Sequence, residues 1–193
     1  MRRRAFVVVL DACGVGALPD AADYGDAGTN TLGHLADAVG GLSLPTLERL
    51  GLGSILPLRG IAPSGAPVVH GRLWALGPGK DSTAGHWELM GVVVSSPAPT
   101  YPEGFPPEVV ERVRAAARHD KIGHLPSERL AALCDITHAS SDHTREHAPL
   151  LAVFAGADGH RHDGPLADVG ASTLRWLAGA DDPDLPGSSF VDA

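Results

Sequence analysis

The run Ala5-Phe6-Val7-Val8-Val9-Leu10 limits the fold more than any other part of the chain. It is wholly apolar, rich in β-branched side chains, and passes through Asp11 into the glycine turn Gly14-Val15-Gly16. Apolarity without alternation, closed by glycine, predicts a strand buried on both faces, the pattern of a parallel sheet. Asp11 then stands at that strand's carboxyl end. In open α/β sheets this end faces the ligand crevice, which places a carboxylate there for chemistry. The plainer reading is an Asp that caps the following turn.

Helical spacing follows over 30–39, with Gly40-Gly41 as the stop, and again after Pro45 over 46–52. Residues 70–76 alternate as a strand would, Pro106-Pro107-Glu108 opens a helix that ends near Arg118, and 165–177 reads as a last amphipathic helix between Gly164 and Gly179. Pro149 to Ala155 reads as a second buried strand, while Ser127 to Leu133 fits either a short capped helix or the lead into a strand. Buried strands alternating with helices give an α/β fold with a doubly wound, mostly parallel sheet. Both buried runs are too apolar for an exposed edge. Leu130 to Ile136 is therefore expected to pair as a further strand, with a second copy of the chain as the alternative cover.

The 193 residues suit a single domain spanning 1–193, and 44% hydrophobic with 20% charged residues excludes disorder. The longest apolar runs stop short of a membrane span, so no membrane partner is expected. Fifteen Lys+Arg against 23 Asp+Glu leave a net charge of −8, which lacks the basic face a nucleic acid needs. Met1-Arg2-Arg3-Arg4 imitates a signal n-region, but the apolar run after it is short and closes on Asp11 with no Ala-x-Ala site. With two widely separated cysteines, Cys13 and Cys134, the expected location is cytoplasmic.

Two segments carry chemistry. Gly79-Lys80-Asp81-Ser82-Thr83-Ala84-Gly85-His86-Trp87-Glu88 sets Ser82 where a glycine-flanked turn enters a helix. Unpaired N–H groups and the positive dipole end there stabilise an anion, so Ser82 can be a nucleophile whose phosphoester is well held. Asp81 or Ser82 serving only as an N-cap is the competing reading. The second segment, Asp142-His143-Thr144-Arg145-Glu146-His147, gathers imidazoles, carboxylates and a guanidinium, with His138 upstream. His and Asp suit Mn²⁺ or Zn²⁺, and Arg145 can grip phosphate bidentately, whereas a polar surface loop is the bland alternative. His160 and His162, in a Gly/Asp loop, are expected to be solvated.

Together these segments resemble the phosphopentomutases of the alkaline phosphatase superfamily. The resemblance rests on Val8-Val9-Leu10-Asp11 with Gly14-Val15-Gly16-Ala17-Leu18-Pro19-Asp20-Ala21, on Asn30-Thr31-Leu32-Gly33-His34, and on the Gly79 to Gly91 segment. Tyr101-Pro102-Glu103-Gly104-Phe105-Pro106 and Asp142 to Leu151 add to it. It implies an isomerase of pentose phosphate and nucleotide metabolism that interconverts ribose 1-phosphate, or deoxyribose 1-phosphate, and the 5-phosphate through a phosphorylated hydroxyl. It further implies an alkaline phosphatase-like core, a two-metal site with Mn²⁺, and a small phosphorylated pentose as partner. Carried over by position, Ser82 is the nucleophile, Asp11, Ser82 and His143 are metal ligands, and Asp142, Arg145, His138 and Asp135 are additional candidates.

The same resemblance implies an internal shortening. Residues 1–114 match an N-terminal core part, 135–193 a C-terminal core part, and 115–134 replace the cap domain that binds the sugar. The Asp-His-Gly motif has Ala131-Ala132-Leu133-Cys134-Asp135 in its place, and Asp120 with His124 only imitates the other ligand pair. A reduced metal-dependent phosphohydrolase and a non-catalytic remnant are therefore the alternative readings.

Overall fold

A computed structural model describes residues 3–97, 99, 104–117 and 143–191. After a 3-10 turn at Ala21–Tyr24, the elements run α1 (Thr31–Ala38), α2 (Pro45–Leu50), α3 (Leu52–Ile55), β1 (Val69–Trp74), α4 (Ser82–Leu89), α5 (Pro107–Ala117), β2 (Ala148–Ala152), β3 (Gly164–Pro165) and α6 (Ala167–Ala178). The helices fall where the punctuation put them. Pro45 occupies the first turn of α2, and Gly179, with φ of 74°, closes α6.

The fold is mixed α/β, built on a three-stranded sheet of order β2-β1-β3. β1 pairs antiparallel with β2, Gly71 facing Leu150, and parallel with β3, Leu73 facing Gly164. Two apolar clusters hold the molecule together. Val15, Leu32, Leu52, Ile55, Leu58 and Ile61 form the first with α1 and α3, and Val69, Leu73, Leu150, Val169, Phe190 and Val191 form the second, against α6. Each large side chain so buried contributes roughly 1.5–3 kcal/mol of transfer free energy. α6 comes close to the end of α4 because Gly170 has no side chain: a Cβ there would lie 2.8 Å from the Met90 carbonyl carbon.

Two strand expectations are corrected. Ala5 to Leu10 forms no strand and is not buried: Phe6 is 85% exposed and Val8 78%. Among the described residues it finds no pairing partner, and a lone extended run cannot build a ladder whatever its hydropathy. The 149–155 strand exists, but as the sheet's edge, antiparallel and buried at Leu150, with Val153 outside it and 71% exposed. The proposed pairing segment 130–136 and the ambiguous 127–133 lie outside the described residues. No described helix is long and apolar enough to cross a membrane.

Candidate active site

The site is assembled where the chain after the N-terminal run meets the segment entering β2. Val15 N–H donates to the His147 carbonyl and Leu18 N–H to that of Arg145, each at 2.9 Å, while His147 N–H returns to Gly16. This short antiparallel contact fixes the spacing of every group between Arg145 and His147. Glu146 uses it to reach α1. Its Oε2 accepts from Thr31 N at 2.9 Å and its Oε1 from Thr31 Oγ1 at 2.7 Å and Thr144 Oγ1 at 2.8 Å, which occupies donors at the helix N-terminus. Glycine at position 14 leaves room for this arrangement, since a Cβ there would displace the Glu146 carboxylate.

Arg145, almost fully buried, ties the second side of the site. Its guanidinium donates to both Asp20 carboxylate oxygens and, at 2.8 Å, to the Gly79 carbonyl, and it stacks over Tyr24 at 5.1 Å. Its main-chain N–H donates to Asp26, which also takes Lys80 Nζ at 2.6 Å. The loop Gly79-Lys80 is thereby fastened to the segment that carries His143. A planar, multidentate cation suits such a junction better than a lysine would.

Ser82 is the first residue of α4. The N-cap is Asp81, whose Oδ1 accepts from Ala84 N at 2.8 Å, so the capping duty falls on Asp81 and the serine hydroxyl is spared it. Ser82 Oγ lies 2.7 Å from His143 Nε2. His86, one turn along, donates from Nδ1 to the Ser82 carbonyl at 2.7 Å. Glu88, at the other end of α4, is buried and accepts from Leu76 N and Gly77 N, holding the helix to the chain that leaves β1. Ser82 itself is exposed.

Asp11 is exposed, and among the described residues its carboxylate makes no hydrogen bond or ion pair; Cys13 Sγ donates to its carbonyl. Burial, and then the Asp11 charge, push the Cys13 thiol up, away from a reactive thiolate. His147 donates from Nδ1 to the Gly16 carbonyl and packs edge-on to Trp74. Asp135, His138 and Asp142, like Asp120 and His124, lie outside the described residues. Among the described residues no three His, Cys, Asp or Glu side chains converge on one point.

The hydrogen bonds from Arg145 hold the Asp20 carboxyl below the usual carboxylate range. Burial pushes Glu146 up, but its bonds from Thr31, Thr144 and Gly16 outweigh that and leave it lowered.

One solvated-loop expectation is corrected. His162 Nε2 lies 2.7 Å from Asp168 Oδ2, and Asp168 is 2% exposed, accepting also from Ser188 N at 2.6 Å. A buried carboxylate demands such partners. Sequence reasoning missed this pair, Asp26 and Glu88 alike, because nothing local marks a carboxylate for burial; the acidic turn position of Asp168 in α6 is the sole hint.

No protein-family model matches the chain. It is 44% identical over 160 residues to a protein named phosphopentomutase from Anaeromyxobacter sp. (strain K), a match covering 82% of this chain and 40% of the relative. It is 40% identical over 159 residues to the phosphopentomutase of Caldanaerobacter subterraneus subsp. tengcongensis, covering 82% of this chain and 39% of that protein. For the phosphopentomutase of Kosmotoga olearia the identity is 39% over 156 residues, covering 80% and 39%. The chain is thus similar to proteins named phosphopentomutase, and it spans about two fifths of the length of the curated relatives it matches.

Proposed function

We propose that this chain performs phosphopentomutase-type phosphoryl transfer through Ser82, interconverting ribose 1-phosphate or deoxyribose 1-phosphate and the 5-phosphate. The observation that carries the reading is the 2.7 Å approach of Ser82 Oγ to His143 Nε2 at the start of α4. With the imidazole protonated at Nδ1, Oγ–H donates to Nε2, and His143 takes the proton as Oγ attacks phosphorus. The Oγ–P bond forms while the bond from phosphorus to the sugar oxygen breaks, and that oxygen receives the proton. Return of the phosphoryl group to the other sugar hydroxyl completes the isomerisation. The N-terminal N–H groups of α4 favour the charge on the phosphoserine.

Mn²⁺ dependence, with Asp11, Ser82 and His143 as the residues that would hold the ion, belongs to the same proposal by resemblance; bound there, the ion would neutralise charge on the phosphoryl oxygens. Arg145 enters the proposal as the clamp that holds Gly79-Lys80 in place, its guanidinium being taken up by Asp20 and the Gly79 carbonyl. A location in the cytoplasm accompanies this reading.

The exposure of Ser82 favours a second reading, a phosphohydrolase, since water that reaches the phosphoserine converts transfer into hydrolysis. Incubation with ribose 1-phosphate and a divalent cation distinguishes them. The mutase reading expects ribose 5-phosphate, the hydrolase reading expects free ribose and inorganic phosphate, and neither product overturns both.

A further inference from the structure

Asp26 sits in a turn between two glycines in the left-handed region, Gly25 at φ 76° and Gly28 at φ 77°. Its main chain is tied on both sides: the N–H donates to the Ala21 carbonyl at 2.8 Å, and the carbonyl accepts from Thr29 Oγ1 at 2.9 Å. From this fixed turn one carboxylate oxygen serves two segments at once. Oδ2 accepts from Lys80 Nζ at 2.6 Å and from Arg145 N at 2.8 Å. Lys80 lies two residues before Ser82, and Arg145 lies two residues after His143. Two residues of chain span at most about 7 Å, so a single oxygen holds the starting points of both tethers. The same turn grips the loop again through Tyr24, whose carbonyl accepts from Lys80 Nζ at 3.3 Å and whose Oη accepts from Gly79 N at 3.0 Å.

We propose that Asp26 is a positioning residue for phosphoryl transfer, its Oδ2 setting the separation of Ser82 Oγ and His143 Nε2 by bridging the segments that carry them. The inference rests on the Ser82 reading above and adds to it the group that assembles the pair. Ser82 is exposed and His143 half-buried, whereas the side chains of Lys80 and Asp26 beneath them are only 3% and 10% exposed. The rigid reference is therefore the buried bridge, not the surroundings of the pair. A carboxylate suits the task because a buried ammonium relies on an opposite charge to offset its lost hydration. The demand on such a bridge is high: a misplacement of about 1 Å costs on the order of 100-fold in rate.

Thiol alkylation tests this without any sugar phosphate. In a Ser82→Cys chain the neighbouring imidazole raises the thiolate fraction, so iodoacetamide should label the peptide containing position 82 about tenfold faster than in the same chain with His143→Ala. Adding Asp26→Asn, which keeps the side chain's shape and removes its charge, should cut that acceleration below about twofold with an unchanged far-ultraviolet spectrum. Lys80→Gln opens the same bridge from the other arm and should give the same loss, which keeps the test decisive if Asp26→Asn does not fold. With Ser82 in place, Asp26→Asn should slow phosphate uptake from ribose 1-phosphate about tenfold at saturation and leave the half-saturating concentration unchanged. An acceleration that survives both substitutions overturns the proposal. So does its absence when Asp26 is intact, since there is then no pair to position. A wild-type chain that takes up no phosphate, while Asp26→Asn still abolishes the acceleration, refutes the mutase reading and leaves Asp26 in its role.

Discussion

Residues 5–10 and β1 exchange the roles their sequences suggest. Ala5 to Leu10 carries no polar side chain and lies exposed, whereas Val69-His70-Gly71-Arg72-Leu73-Trp74 mixes charge with apolarity and forms the central strand. β1 has a neighbour on each edge, and its Val69 and Leu73 meet Leu150 and Val169 in the second cluster. Among the described residues the N-terminal run has only its anchors at Trp176 and Val15. Hydropathy thus measures what a segment could gain by burial, and pairing partners decide whether it collects that gain.

The sharpest challenge to this contrast is a truncation at each place. Leu73→Ala removes a side chain that is 3% exposed and should cost about 2–5 kcal/mol in urea unfolding. Val8→Ala, at 78% exposure, should shift stability by no more than about 0.5 kcal/mol. Equal costs would mean that the N-terminal run is buried after all.

Arg145→Ala asks whether polar ties can do for the site what apolar packing does for β1. It leaves the Gly79 carbonyl and Asp20 without their cation and should cost roughly 3 kcal/mol, at the low end for a buried pair because the Asp20 side chain is 42% exposed. The same variant should slow phosphoryl uptake by Ser82, and Arg145→Lys should restore only part of it. Unchanged stability would show that the two segments meet without this clamp.

A smaller effect follows from acid. Asp20 and Glu146 both have lowered pKa values in the fold, so the unfolded chain binds their protons first. Their contribution is complete above the unfolded carboxylate range, near pH 4, and is lost as pH falls through their lowered values. Glu146→Gln should flatten this part of the stability profile while leaving the profile above about pH 5 unchanged in slope. A profile of wild-type steepness would assign the acid sensitivity elsewhere.

The helices were legible because their stops are local: Gly40-Gly41, Pro45 and Gly179 mark boundaries without tertiary help. Ser82 at a helix start was legible for the same reason, and the dense Asp142 to His147 segment pointed to His143. What sequence could not convey is the division of labour inside those motifs. Asp81 caps α4, Arg145 clamps Gly79, and Glu146 reaches Thr31 across 115 positions of chain. Each of these depends on a long-range approach that no local spacing encodes. The burial of Asp168 with His162 escaped notice on the same ground, and the N-terminal run was misjudged because a strand's partner is never part of its own sequence.

The most direct test of the account is phosphopeptide mapping after incubation with ribose 1-phosphate and a divalent cation. The wild-type chain should carry phosphate on the peptide containing Ser82, Ser82→Ala should carry none, and His143→Ala should acquire it at least tenfold more slowly. Phosphate uptake that survives Ser82→Ala, or its absence from a folded wild-type chain, would contradict the assignment of Ser82 as the phosphoryl carrier.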